Sequence, residues 1–282
     1  MKQKTIITFT YFQNCMKRLL FLLIVLPLLV FSQEKKDTKW FKGMYIQWGY
    51  NTEWYTKSTI HFKMSNGNNF ELHDAIAHDQ PDMSAIKTAP TEVSIPQYNY
   101  RIGFYLNRSH TRAFEINFDH AKYVVTDGQM VHVTGTIDGK PVDGDSVMDG
   151  NRFLHFEHTD GANWLHFNYV QQHELLPVKS RSRTLISYVW KAGAGINIPR
   201  TDFTWRGDEL NNAFHIAGYN ISAEGGLRVF PFKRFFIEGT AKTGFVQYLN
   251  ALADTKYTSG NRASHHFVYF ELIATLGYEI NF

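Results

Sequence analysis

From about residue 40 onward, apolar and polar residues exchange places at nearly every step, and no stretch carries the three-and-four spacing of an amphipathic helix. The final segment is the clearest case. Val268, Phe270, Leu272, Ala274, Leu276, Tyr278, Ile280 and Phe282 fall on one face, with Glu271, Thr275, Glu279 and Asn281 on the other. Alternation over about 15 residues exceeds the usual soluble strand and is compatible with the roughly 9–11 residues of a membrane-spanning strand plus extensions. Earlier segments repeat the pattern. Tyr98, Tyr100, Ile102, Phe104 and Leu106 alternate with Asn99, Arg101 and Asn107, and Phe114, Ile116 and Phe118 with Glu115, Asn117 and Asp119. The predicted class is all-β.

Strands are predicted near 43–56, 97–107, 112–125, 152–174, 184–197, 213–230, 233–250 and 264–282. Short connections at 106–112, 177–183 and 230–234 alternate with longer polar ones at 57–96, 126–151, 198–212 and 251–263, so eight antiparallel strands close without a remainder. Within the first long loop, Ser58 to Lys63 and Phe70 to Ile76 read as a hairpin around Ser65-Asn66-Gly67-Asn68. If that hairpin joins the wall, the count becomes ten.

The terminal alternation closing on Phe282 resembles the last strand of bacterial outer-membrane β-barrels. The resemblance implies an antiparallel up-and-down transmembrane barrel in the outer membrane. It also implies that Tyr278, Ile280 and Phe282 form the signal read by the barrel assembly machinery, with outer-membrane lipid as the other partner. An exported soluble β-sandwich would alternate in the same way, with its apolar face turned inward. Aromatic residues near both ends of the apolar faces, and small residues on the charged faces, favour the barrel.

Lys17 and Arg18, the apolar run Leu19 to Phe31 and then Ser32-Gln33 have the three regions of a secretory signal peptide, with Met16 as a possible start. The expected organisation is a leader over 1–32 and one barrel domain over 33–282. At 13 residues the run is too short for a membrane-spanning helix. Cys15 precedes it, so the mature chain would have no cysteine and no disulfide framework. The leader also carries Lys2 and Lys4 and no acid. Removing it turns the formal charge of +3 into 25 bases against 26 acids. That near-neutrality argues against a nucleic-acid partner. Mean hydropathy of −0.31, in a chain with 23 Phe, 15 Tyr and 6 Trp, is the average of an apolar face and a charged one.

An eight-stranded barrel is just wide enough for side chains to fill. Arg101, Lys191, Arg228 and Lys242 are expected to share the lumen with Glu115, Glu157, Glu224, Glu238 and Glu271, paired because buried charges must be. The densest polar run is Phe156-Glu157-His158-Thr159-Asp160-Gly161-Ala162-Asn163-Trp164. Leu154 and Phe156 put even positions outward there, whereas Leu165, Phe167 and Tyr169 put odd positions outward, which predicts a slip near Asp160-Gly161. The run looks like a distant version of the His-x-Ser-Asn-Ala segment of lipid A deacylase barrels. His158 matches the general base, Asp160 stands in the serine position, and Thr159 is the hydroxyl in the run.

Thirteen histidines raise the question of metal, but His73 and His78 fall on opposite faces of a strand, as do His265 and His266, so no metal or cofactor is expected. The function expected is that of a closed barrel acting through its extracellular loops in recognition or envelope structure, with no ligand named by the sequence. A lipid-modifying hydrolase centred on His158, with Glu157, Thr159 and Asp160, is the first alternative. A narrow porin or small-solute transporter is the second.

Overall fold

The computed structural model describes residues 40–81, 97–178, 183–211, 213–254 and 260–282. The leader over 1–32, with Met16, lies outside the described residues, as does 82–96 of the first long loop. In chain order the strands are β1 (Gly43–Tyr55), β2 (Ser58–Lys63), β3 (Asn69–Ala75), β4 (Ala77–His78), β5 (Tyr98–Tyr105), β6 (Arg112–Asp119), β7 (Tyr123–Val125), β8 (Met130–Ile137) and β9 (Lys140–Val147). There follow β10 (Leu154–His158), β11 (Trp164–Val178), β12 (Arg183–Asn197), β13 (Asp202–Trp205), β14 (Asp208–Asn211), β15 (Gly218–Val229), β16 (Phe235–Leu252) and β17 (Arg262–Asn281).

Eight of these close a ring. Hydrogen bonding runs β1-β5-β6-β11-β12-β15-β16-β17 and returns to β1, antiparallel throughout, with Gly43 opposite Asn281 and Tyr55 opposite Tyr269 at the seam. The β2–β3 hairpin does not enter the ring. It pairs with the far end of β17, His61 to Lys63 against Arg262 to Ser264, so the wall has eight strands and not ten.

The ring is inside-out relative to a soluble core. Ile102, Tyr188, Ile221, Leu227, Leu272 and Leu276 are exposed on its outer face, while Arg101, Glu115, Lys191, Arg228 and Lys242 are at most 1% exposed on its inner face. Along β17 the apolar outer positions run from Val268 to Tyr278. At a strand rise of roughly 3.3 Å and a tilt of ~40°, that band stands about 25 Å tall. An apolar outer band, a polar interior and a closed antiparallel wall together make a transmembrane β-barrel.

The connections at one end are short, including 106–111 and 230–234. At the other end, where loops are expected over 57–96, 126–151 and 198–212, the described residues include the strands β2, β3, β4, β8, β9, β13 and β14. β17 continues past the ring into β2, β3, β8 and β9, and a second sheet runs β14-β13-β10-β7-β4. Two hairpins are set by turns whose residues have positive φ, Asp138-Gly139 (53° and 72°) and Arg206-Gly207 (52° and 88°), as a two-residue type I′ turn requires. The two sheets face each other across an aromatic core. Phe62 lies 5.3 Å from both Phe70 and Phe156 and 5.5 Å from Phe203, and Phe70 lies 5.4 Å from Trp205. This head is a small β-sandwich built on the rim of the barrel.

The strand expected over 152–174 therefore divides. Leu154 and Phe156 do not face outward; both are fully buried in the head core. The break at 159–163 carries Gly161 at φ 120° and Asn163 at φ 38°, and β11 then joins the wall with its odd positions outward. The strand expected over 112–125 likewise ends at Asp119, and Tyr123–Val125 crosses into the second sheet.

Truncating the central head residue, Phe62→Ala, is expected to destabilise the head by about 3–5 kcal/mol. Limited proteolysis of the purified protein should then cleave the head readily while the wall still shows the heat-modifiable migration of a folded barrel.

Candidate functional site

At the end that carries the short turns, the lumen is stoppered by Tyr45, Tyr105, Ala113, Val170, Phe230 and Phe236, all buried. A glycine makes the plug possible. A Cβ at Gly103 would lie 2.0 Å from the Tyr45 ring, so only glycine lets that ring cross the lumen. Tyr45 donates its hydroxyl hydrogen to Glu115 Oε2 at 2.6 Å, which ties the plug to the charges beyond it.

Those charges form a continuous network. Arg101 lies 2.6 Å from Glu224, and 3.7 Å from both Glu115 and Glu238. Lys191 lies 2.7 Å from Glu238, 3.2 Å from Glu115 and 3.3 Å from Glu224. Arg228 pairs with Glu238 at 2.7 Å and stacks its guanidinium over Phe236 at 4.1 Å and Tyr45 at 4.7 Å. Nearer the head, Lys242 contacts Asp119, Glu271 at 3.3 Å and His166 Nε2 at 3.2 Å. The head core closes this end, with the Trp164 ring tilted against that of Tyr269 at 4.4 Å and its indole N–H donating to the Tyr248 hydroxyl at 3.1 Å.

Eight of the residues assigned to the lumen, Arg101, Glu115, Lys191, Glu224, Arg228, Glu238, Lys242 and Glu271, thus lie together inside the ring. Glu157 does not. It sits on β10 in the head, 3.1 Å from His155. Asp119, His166 and Tyr45 belong to the network and were not assigned to it, although Asp119 continues the inward series Glu115, Asn117 on β6. The lumen is filled and plugged, which leaves the narrow-porin alternative without a passage among the described residues.

The His158 run does not assemble a catalytic group. His158 points into the head core, where its Nε2 lies 3.2 Å from His265 Nε2. Burial pushes its imidazole down to about 3, so it is neutral at ordinary pH. Thr159 and Glu157 face the other way and bond to each other, and Asp160 pairs with Arg200 at 2.9 Å. Ser58 Oγ comes within 3.4 Å of His265 Nδ1, but it donates to the His266 carbonyl at 2.8 Å and is 2% exposed, so this Ser-His-His row has no open face for a substrate. His120, which the sequence did not single out, is the histidine that meets the run from the barrel rim, 2.9 Å from Asn163 Oδ1.

On the outer face of the second sheet, a cleft of about 580 Å³ is lined by Asp127, Asp149, His155, Thr204 and Glu209. His155 is clasped there by two carboxylates, Glu157 at Nε2 (3.1 Å) and Asp127 at Nδ1 (3.0 Å). The Glu157 carboxylate, seconded by Asp127, raises its imidazole to about 9. With both ring nitrogens donating, His155 is an imidazolium clasp and not a base. His73 and His78 are apart, bonded to Thr134 (2.7 Å) and Thr126 (2.9 Å), and no three His, Cys, Asp or Glu side chains among the described residues are grouped to hold a metal.

No family model and no curated protein matches the chain. Among solved structures it is similar to OprG, an outer membrane protein from Pseudomonas aeruginosa, at 11% identity over 86% of this chain and 98% of that one, with a TM-score of 0.40. Neisserial surface protein A aligns at 8% identity over 85% and 97%, with a TM-score of 0.39. The outer membrane protease OmpT from Escherichia coli aligns at 6% identity over 89% and 99%, with a TM-score of 0.34. Scores this low carry no function across, and the barrel stands on its own closed register and outward apolar band.

Two outcomes follow from this geometry. Glu238→Gln removes the shared partner of Arg228 and Lys191, and is expected to cost about 3–5 kcal/mol in denaturant unfolding of the detergent-refolded barrel. For His155, the folded-state value lies above the ordinary ~6.5 of histidine. Its stabilising contribution is therefore complete below pH ~6.5 and fades as pH rises towards 9. The melting-temperature gap between the native protein and His155→Gln should be widest near pH 6 and close by pH 10.

Proposed function

We propose that the protein is an outer-membrane anchor that carries a folded head outside the cell, acting in recognition or envelope structure and not in transport. The observation that carries this reading is the pairing of a plugged, ion-filled lumen with a head that has its own two-sheet core. The acidic cleft lined by Asp127, Asp149, His155 and Glu209 is on the head. In outer-membrane barrels the short turns face the periplasm and the longer connections face outward, which supports an external head. Tyr278, Ile280 and Phe282 close the last strand at the periplasmic end, where the assembly machinery would read them after export by the leader. Outer-membrane lipid would cover the apolar band. The hydrolase alternative is not favoured, because among the described residues the His158 ring nitrogens bond to no hydroxyl or carboxylate and the ring is enclosed.

Two measurements test this. The mature chain carries no native cysteine, so Asp143→Cys on the exposed strand β9 offers a single label. A membrane-impermeant thiol reagent should modify it in intact cells, and purified protein in planar bilayers should show no stepwise conductance. Labelling only after lysis would reverse the orientation, and a steady porin-like conductance would overturn the reading altogether.

A further inference from the structure

Five neighbouring strands of the wall, in the order β6-β5-β1-β17-β16, carry no Asp or Glu at their outward positions among the described residues. At the end with the short turns, the same strands are edged by bases. Arg112 opens β6 on the outward face, in line with Phe114 and Ile116. Lys42 donates its amide to the Tyr105 carbonyl at 2.9 Å, so the ladder runs one residue past Gly43 and Lys42 falls on the face of Ile46 and Trp48. Lys233 lies in the turn before Phe235, and Arg108 in the turn that joins β5 to β6. The carboxylates of this end are placed elsewhere. Glu279 is on the inward alternation of β17 and accepts from the Tyr105 hydroxyl, and Glu174 is on β11, where it accepts from Thr184. Four bases thus border one side of the barrel with no acid on the wall above them.

The wall above that edge is indented. A groove of about 530 Å³ crosses β5, β1, β17 and β16 on the outer face, lined by Ile46, Trp48, Tyr100, Ile102, Leu276 and Tyr278. Its row nearest the turns is set by the register, which places Phe235 opposite Tyr278, Tyr278 opposite Ile46 and Ile46 opposite Ile102. Lys233 follows one outward step beyond Phe235. Trp40, Phe232 and Phe282 are exposed at the same end. Aromatic residues so placed mark the boundary between headgroups and hydrocarbon, so the bases stand at headgroup depth and the groove at the depth of acyl chains. A free phosphate or an acidic peptide would meet the bases and leave the groove empty. A zwitterionic lipid would fill the groove but bring a cation of its own to the bases.

We propose that this side of the wall binds an anionic phospholipid of the phosphatidylglycerol class, with its phosphate on the edge formed by Lys42, Arg108, Arg112 and Lys233 and an acyl chain in the groove beside Trp48. Bases close to a membrane surface draw anionic lipids by charge alone, and an arginine adds paired N–H donors that match two phosphate oxygens. The groove supplies what charge does not, a fixed seat for the chain. The leaflet that provides the lipid rests on the orientation proposed above and is the periplasmic one. The preference for a headgroup is independent of that orientation, because vesicles of uniform composition present the same lipid to both ends of the barrel.

Trp48 is a native probe for the test. The full mature chain is refolded into phosphatidylcholine vesicles that hold a minor fraction of acyl-brominated phosphatidylglycerol or, in parallel, of acyl-brominated phosphatidylcholine. The Trp48 share of the fluorescence is taken as the difference from Trp48→Phe. Bromine should quench that share with an apparent affinity about fivefold or more higher for phosphatidylglycerol, since one base near an anionic surface is worth roughly that factor. The preference should shrink in high salt. Replacing Lys42, Arg108, Arg112 and Lys233 together by Gln should abolish it, whereas Lys140→Gln on the head should leave it unchanged. Equal quenching by the two lipids would overturn the proposal, as would a preference that survives the fourfold replacement. Unlabelled lipid A relieving the quenching better than unlabelled phosphatidylglycerol would overturn it too, by assigning the groove to the opposite leaflet. If the fourfold variant does not fold, Arg112→Gln with Lys233→Gln should still lower the preference, and the native chain in low and high salt decides.

Discussion

Pairing of charge inside a space too narrow for water to compensate it is the constraint on which the rest of the molecule depends. Glu238 is its centre, held by Arg228 from β15 and by Lys191 from β12, which in turn reaches Glu115 on β6 and Glu224 on β15. Each of these side chains faces inward only in one alternation of its strand. A slip of one residue would turn a charge onto the apolar outer band and bring a Leu or Ile into the network. Hydrophobic exposure to lipid and ion pairing in the lumen therefore enforce the same register from opposite sides of the wall. Hydrogen bonding between strands, which is indifferent to sequence, is satisfied in any register and cannot make that choice.

The head depends on the barrel in a more direct way. β16 and β17, at 18 and 20 residues, are much longer than β5 and β6, at 8 residues each. The excess length of β17 passes the end of the ring and offers a free edge, which β2 takes up through Arg262, Ala263 and Ser264. The same strand changes what its inner face meets. Glu271 faces the lumen, Tyr269 meets Trp164, and Phe267 and His265 lie in the head core. Charge layer and apolar sandwich are thus consecutive turns of one alternating face, and the head is an outgrowth of the wall and not a separate module on a linker.

Most of the wall was legible in the sequence, because period-two alternation over long strands has few other solutions, and β17 shows it without interruption. The inward set followed from the same alternation. Which inward residues touch could not be read, since Arg101 meets Glu224 across the lumen through the tilt and stagger of the wall, which no local pattern records. The head was misread for a different reason. Leu154, Phe156 and His158 alternate just as Phe167 and Tyr169 do, and alternation states that two faces differ without stating which medium each one meets. The hairpin at Asp138-Gly139, flanked by Val131 and Val133, did carry a turn signal of the strongest type, and with it the long loop over 126–151 could have been read as paired strands. His158 was misplaced with its strand: a histidine in a polar-looking run became a core residue once Phe156 and Leu154 turned inward beside it.

The division of labour follows from where water can reach. Inside the wall, moving any charged side chain would strand its partners in a low-dielectric space, so the lumen is a poor place for a gate or a transport path. On the head the same residue types are cheap to rearrange. The Asp127, His155 and Glu157 clasp is partly exposed and joins a loop to a strand, and the cleft beside it is bordered by Gly128, Gly150 and Gly207. A barrel locked by its own charges gives that surface a rigid mount. Substitutions in the cleft and at the hairpin tips leave every ion pair in the lumen undisturbed.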